Sequence, residues 1–294
     1  MTTGPAAEIQ RIRTHIEGRL AGAELVTLPF PHLITGDFFP DDVYARILAL
    51  NPFRENAGRE WMSRKAGAGL RTGTPYHARR QINFHKDDDF VASPEAHAFW
   101  DTIRGVFLGD DWFPALVVAR YRAYFELRFG ALADDPAFFG LCRRELFLQR
   151  HEPGYYIGPH TDIPTRIFTC IFAFAERPGF DEYGTELCRH RDPLVRCWGN
   201  NHYPPDDFVA EKLAPYRPNN FLLFFKTRQS FHAVRAIDDT VPNGRYGMQF
   251  QFYEPPGGLF RDLSEPELMV PRHKREAQPA AGRRWWSAFR RGRA

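Results

Sequence analysis

Four cysteines in 294 residues (Cys142, Cys170, Cys188 and Cys197), none in a C-x-x-C pair, are too few and too scattered for a disulfide scaffold or a cysteine-based zinc site. The expectation is a cytoplasmic protein with reduced thiols. Long apolar runs are also missing. No window approaches 18 uninterrupted apolar residues, which excludes a membrane-spanning helix. The opening MTTGPAAEIQRIRTHIEGRL lacks the apolar stretch of a signal peptide. No motif recurs at the periods of about 20–50 residues that mark solenoids and propellers. Charge of one sign is scarce as well, since the net charge is only +3. It is unevenly placed: residues 271–294 hold eight Lys/Arg against one acid, leaving a net −4 on residues 1–270. A mildly acidic body disfavours nucleic acid as a partner.

What is present is an ordinary globular composition, 43% hydrophobic and 26% charged, with an unusual 27 Phe. The first half leans helical. Ile9, Ile12, Ile16 and Leu20 recur at helical spacing, Pro40-Asp41-Asp42 opens a second amphipathic stretch, and Ser93-Pro94-Glu95 starts a third that stops at Gly109. A further helix is predicted from Asp110 or Asp111 to Gly130, and Met62 to Phe90 reads as a long loop. The second half is built of short aromatic or β-branched segments: Glu145–His151, Arg166–Ala175, Gly184–Arg189, Asn220–Lys226 and Tyr246–Glu254. In the last, Tyr246, Met248, Phe250 and Phe252 alternate with Gly247, Gln249, Gln251 and Tyr253, which predicts a strand with two unlike faces. Helices followed by many strands predict an α+β fold, a helical layer packed on a sandwich or barrel.

Metal-ligand spacing appears three times as H-x-D: His85/Asp87, His160/Asp162 and His190/Asp192. Residues i and i+2 of a strand share a face, so each pair can present an imidazole and a carboxylate to one ion. Context separates them. His85-Lys-Asp87 sits in a polar run before a helix, and His190 lies only 42 residues before His232. His160 follows a Pro153-Gly154 turn and precedes an apolar strand; a distant strand then supplies His232, and Arg245 opens the alternating strand after it. A His/Asp/His triad fills three positions of an octahedral ion and leaves three open. An anionic co-substrate can chelate two of these, its far carboxylate held by an arginine fork.

Over about 105 residues, Arg150 to Glu254, the sequence resembles the iron(II)- and 2-oxoglutarate-dependent dioxygenases, specifically their prolyl 4-hydroxylase-like branch. The resemblance is carried by R-H-E-P-G-Y-Y-I-G-P-H-T-D, R-I-F-T-C-I, G-T-E-L, F-H-A-V and R-Y-G-M-Q-F. It implies a double-stranded β-helix (jelly-roll) core over residues 145–256, within a single domain of residues 1–270 whose helix-rich part is residues 1–144. It implies Fe(II) held by His160, Asp162 and His232, 2-oxoglutarate anchored by Arg245 with Thr169 nearby, and O₂ as the second co-substrate. The implied reaction is hydroxylation of a C–H bond of a small-molecule or carrier-bound metabolite, with release of succinate and CO₂. Desaturation, ring closure and peptidyl hydroxylation begin from the same cofactor chemistry, and a cupin-like metal protein that does not use 2-oxoglutarate is the reading from outside the family.

Three departures from the family pattern stand out: His151 where Tyr is common, Gly184-Thr185 for a Gly-Gly pair, and Arg245 thirteen rather than about ten residues after His232. Asp162 disfavours halogenation, and Gln251 stands where nucleic-acid repair members carry a second arginine. Three further stretches invite a role. Arg64, Lys65, Arg71, His77, Arg79, Arg80 and His85 form a basic run that either clamps an anionic substrate or, as the expected reading, pairs in solvent with Asp87–Asp89 and Asp134–Asp135. Trp198, His202 and Tyr203 are expected to pack down a long loop. The basic aromatic tail, residues 271–294, is expected to pack back or stay disordered rather than bind a membrane surface.

Overall fold

A computed structural model of the chain describes residues 4–55, 74–85, 93–197, 199 and 201–255. Helix α1 (Pro5–Gly22), opened by a proline in its first turn, buries Ile12, Ile16 and Leu20 about one turn apart. After strand β1 (His32–Thr35) come α2 (Asp41–Ala49), which buries Val43 and Ile47, and the single turn α3 (Pro52–Glu55). Helix α4 (Pro94–Leu108) is capped by Ser93, whose hydroxyl accepts from the Ala96 amide at 3.1 Å. The single helix predicted from Asp110 or Asp111 to Gly130 is two, α5 (Trp112–Arg120) and α6 (Arg122–Phe129). The break falls at Tyr121, whose buried hydroxyl donates to the Leu223 carbonyl at 3.1 Å, fixing the chain on the sheet beneath. A short α7 (Pro136–Leu141) leads into the strands.

Strand β2 (Arg79–Asn83) lies inside the stretch Met62 to Phe90 that reads as loop, so that expectation is corrected for these five residues. The remaining strands are β3 (Arg143–His151), β4 (Ile157–His160), β5 (Arg166–Ala173), β6 (Thr185–His190), β7 (Phe208–Ala214), β8 (Asn220–Phe225), β9 (Phe231–Val234) and β10 (Arg245–Tyr253). They form two antiparallel sheets, one ordered β1-β8-β5-β10-β3-β2 and the other β4-β9-β6-β7. From β3 onward, β3, β5, β8 and β10 go to the larger sheet and β4, β6, β7 and β9 to the smaller. This winding is a double-stranded β-helix, with β1 and β2 extending the two edges of the larger sheet.

The larger sheet has two unlike faces. Its outer face carries much of the phenylalanine surplus and packs with α1, α2, α4, α5 and α6 into one apolar core. Phe172 meets Phe107 at 5.3 Å between ring centroids, Phe250 meets Phe113 at 5.0 Å, and Phe38 stacks on Phe221 at 4.1 Å. The inner face points the other way and is polar: Glu145, Gln149 and His151 on β3, Gln249 and Gln251 on β10, and Arg79, Gln81 and Asn83 on β2 all line a cavity between the sheets. No described helix is long and apolar enough to cross a membrane. The tail and the basic residues Arg64, Lys65 and Arg71 lie outside the described residues.

Candidate metal centre and anion cavity

The cavity is about 580 Å³, and its two ends have different chemistry. At one end β4 and β9 run side by side with His160 opposite His232, and their rings sit 4.3 Å apart. Asp162 follows in the turn after β4. One ligand atom from each of His160, Asp162 and His232 lies within 4.8 Å of the others, the only such group of three metal-binding side chains among the described residues. The structure therefore brings together the three residues singled out in the sequence. His190 does not join them: its Nδ1 lies 3.0 Å from the Asp192 carbonyl in a local turn. His85 ends its described segment, and Asp87 lies outside the described residues.

Each of the three is held from the side away from the others. His160 Nδ1 donates to the Gly158 carbonyl at 2.9 Å and His232 Nδ1 to the Ser230 carbonyl at 3.0 Å. This fixes both tautomers and leaves both Nε2 lone pairs for an ion. Burial keeps both imidazoles neutral, pushing their pKa values down, well down for His160. Burial opposes the charge on Asp162, yet the nearby Arg166 guanidinium and the Thr169 hydroxyl outweigh it and hold the carboxylate below its usual range. Thr169 Oγ1 donates to Asp162 Oδ2 at 2.6 Å, and Arg166 Nη1 lies 3.9 Å from the same oxygen. Two neutral nitrogens and one carboxylate, each fixed from behind, are a donor set suited to a divalent first-row metal with open positions. Gly199 lets the loop after β6 lie against this turn: at φ +121° its Cα is so close that a Cβ would fall 2.3 Å from the Asp162 carbonyl oxygen. On the same loop His202 packs over His160 with ring centroids 4.7 Å apart. Tyr203 packs against Phe208 and Phe231, as expected of that loop, and Trp198 lies outside the described residues.

No protein-family model matches the chain, and no curated protein matches its sequence. Among solved structures it is similar to a Pseudomonas putida prolyl-4-hydroxylase, with 14% identity over 82% of this chain and 98% of that one and a TM-score of 0.44. It is similar also to HygX from Streptomyces hygroscopicus with nickel and 2-oxoglutarate bound, with 12% identity over 76% of this chain and 83% of that one and a TM-score of 0.39. A third is the non-heme alpha ketoglutarate dependent epimerase SnoN from nogalamycin biosynthesis, with 16% identity, 93% and 95% coverage and a TM-score of 0.36.

The other end of the cavity belongs to Arg245. It is 8% exposed, and among the described residues no carboxylate pairs with it. Its Nη1 donates to His151 Nδ1 at 3.0 Å and its Nη2 to Thr185 Oγ1 at 3.3 Å, while the Tyr216 ring lies 5.6 Å away. The three departures from the family pattern thus meet at one place. His151 and Thr185 are the two hydrogen-bond acceptors of Arg245, and the longer turn before it ends in Asn243 and Gly244, both at positive φ. Arg245 reaches β6 at Thr185, two residues or about 7 Å along the strand from Leu187, which pairs with His232. Thr169 lies far from Arg245, opposite Gln251 on β10, and its partner is Asp162.

Sequence reasoning missed Arg166, Tyr253 and Glu145. Arg166 Nη2 donates to the Tyr253 hydroxyl at 2.9 Å, and that hydroxyl lies 2.6 Å from Glu145 Oε2. A signal was available: Tyr253 and Gln251 share the polar face of the alternating strand, which predicts that they face something other than the apolar core.

Proposed function

We propose that the chain is an Fe(II)- and 2-oxoglutarate-dependent oxygenase that hydroxylates an unactivated C–H bond of a small-molecule or carrier-bound metabolite, releasing succinate and CO₂. One observation carries the reading: a His/Asp/His triad and a buried arginine with no acid partner among the described residues share one cavity. When bound, iron supplies the O₂ chemistry that couples 2-oxoglutarate decarboxylation to C–H oxidation. The chain's own residues do the positioning. His160 and His232 offer neutral Nε2 atoms, Asp162 offers an ionised carboxylate held by Thr169 and Arg166, and Arg245 takes the far carboxylate of 2-oxoglutarate. Phe147, Ile163, Ile171 and Val234 contribute apolar wall that excludes water. A cavity of this size suits a metabolite or a carrier-borne group alongside the co-substrate.

The test is succinate formation from 2-oxoglutarate by the iron-loaded chain across candidate substrates, with 2-oxoglutarate binding to the Mn(II)-loaded chain measured in parallel. Turnover and binding in the wild type, both lost in Asp162→Ala, support the reading. Iron bound at the triad with no 2-oxoglutarate bound and no succinate formed overturns it in favour of a metal protein of another chemistry.

A further inference from the structure

Arg79 is not part of a solvated basic loop. It lies on β2 directly opposite His151 of β3, and on the other side of β3 His151 lies opposite Arg245 of β10. Three side chains therefore stand in a row across the inner face of the sheet, Arg79, His151 and Arg245, exposed by only 8%, 5% and 8%. Each has a buried nitrogen with no hydrogen-bond partner: Arg79 Nε, His151 Nε2 and Arg245 Nε. Because His151 Nδ1 accepts from Arg245, the ring's proton is on Nε2, and ring geometry aims that donor away from Arg245. Burial, with Arg245 and Arg79 alongside, holds His151 neutral. Arg80, the next residue, forms an ion pair with Glu152 at 3.0 Å, an acid outside the set expected to pair with this basic run.

Charge decides what Arg79 is for. Among the described residues the cavity wall carries three guanidiniums, Arg79, Arg166 and Arg245, and two carboxylates, Asp162 and Glu145. A divalent ion at the triad raises the excess to three positive charges, and 2-oxoglutarate, a dianion, removes two. The charge left over has a location. Arg166 is hydrogen-bonded to Thr169 and Tyr253 beside Asp162, and Arg245 leans toward Thr185 on the opposite sheet. Arg79, at the sheet edge beyond His151, has a buried Nε without a partner and forms no ion pair with an acid among the described residues. Burying a guanidinium without an anion is unfavourable.

We propose that Arg79, with the Nε2–H of His151, forms a second oxyanion subsite, and that the primary substrate carries a carboxylate or phosphate group that docks there. The inference rests on the reading of Arg245 as the 2-oxoglutarate anchor. It makes Arg79 a specificity-determining residue, distinct from the metal ligands and from Arg245.

The test uses the chain loaded with Mn(II) and 2-oxoglutarate, probed with benzoate, phenyl phosphate and the neutral benzamide. Manganese-induced relaxation of the probe protons reports both affinity and proximity to the triad. The expected result is that benzoate or phenyl phosphate binds at least about tenfold more tightly than benzamide, the tighter of the two naming the anion. Arg79→Gln removes that preference and Arg79→Lys keeps part of it, while 2-oxoglutarate affinity stays within about twofold of wild type. Equal binding of the anions and benzamide by the wild type overturns the proposal, a result that needs no variant to fold. A roughly tenfold loss of 2-oxoglutarate affinity in Arg79→Gln also overturns it, because Arg79 then belongs to the co-substrate. Failure of the oxygenase reading looks different: 2-oxoglutarate does not bind the wild type, or binds Arg245→Gln equally well. The same three probes, measured with Mn(II) alone, then still decide whether Arg79 selects anions.

Discussion

At the metal end of the cavity every functional group already has a protein partner behind it, whereas at the arginine end the functional groups are left with open valences. His160, His232 and Asp162 are each tied from the rear, to Gly158, Ser230 and Thr169, so that only their metal-facing atoms remain free. Arg79, His151 and Arg245 each keep one buried nitrogen without a partner. The difference follows from what each end has to hold. A small ion of fixed geometry needs ligands that do not move, and rear hydrogen bonds supply that. An anionic organic molecule must displace water and then satisfy the donors itself, so the protein leaves them vacant and bears the desolvation cost until the ligand arrives. One end is completed by the fold, the other by what binds.

The comparison can be broken at either end. The largest effect is expected from Asp162→Ala, which removes the only anionic ligand of the triad. Mn(II) affinity measured by calorimetry should fall by more than about 100-fold, while the fold, read by circular dichroism, is retained. Next is Arg245→Gln. It should weaken 2-oxoglutarate binding to the Mn(II)-loaded chain by about 2–5 kcal/mol, because a charge-assisted contact is lost in a buried setting. Metal affinity should stay within about twofold of wild type, and a parallel loss of metal would show that the two ends are not separable. Thr169→Val sharpens the metal end. Removing the hydroxyl frees Asp162 Oδ2 without changing the size of the side chain, so metal affinity should drop about 10-fold or somewhat more. Unchanged affinity would mean that Arg166 alone orients the carboxylate.

The features legible in the sequence were those with a repeating apolar signature or a compact motif. The buried spacing of α1 and the alternation of β10 matched the structure because each borders the apolar core on one face. The triad was legible because His160 and Asp162 are two residues apart in one H-x-D motif and His232 falls in a short strand, F-H-A-V, with its own flanking pattern. Strand β2 was not. Its inward residues Arg79, Gln81 and Asn83 face a polar cavity, so the usual rule of apolar residues inside is inverted and R-R-Q-I-N reads as loop. Strand β4, Ile157–His160, is four residues long with a proline at its third position, and β7 exposes most of its length, which weakened both signals. The register that sets Arg79, His151 and Arg245 in one row arises from pairing between strands about 70 and 94 residues apart in the chain, and no local pattern encodes it.

The smallest effect is expected one residue from the largest unexplained charge. Arg79 and Arg80 are neighbours in sequence but point to opposite faces of β2. Arg80 pairs with Glu152, a carboxylate that also accepts from Arg150 Nη2 at 2.9 Å. Arg80→Gln leaves Glu152 with Arg150, so nothing buried loses its partner. The change in stability should stay below about 1 kcal/mol, as for other partly exposed ion pairs, and should shrink further in salt. Affinities for Mn(II), 2-oxoglutarate and benzoate should all match wild type. Thermal melts at low and high ionic strength, alongside the probe titrations, check both halves of this statement. If Arg80→Gln weakened benzoate as much as Arg79→Gln does, selection for anions would come from the general positive potential of this edge strand. If only Arg79→Gln acts, the selection comes from the face of the strand that looks into the cavity, and so from the register of the sheet itself.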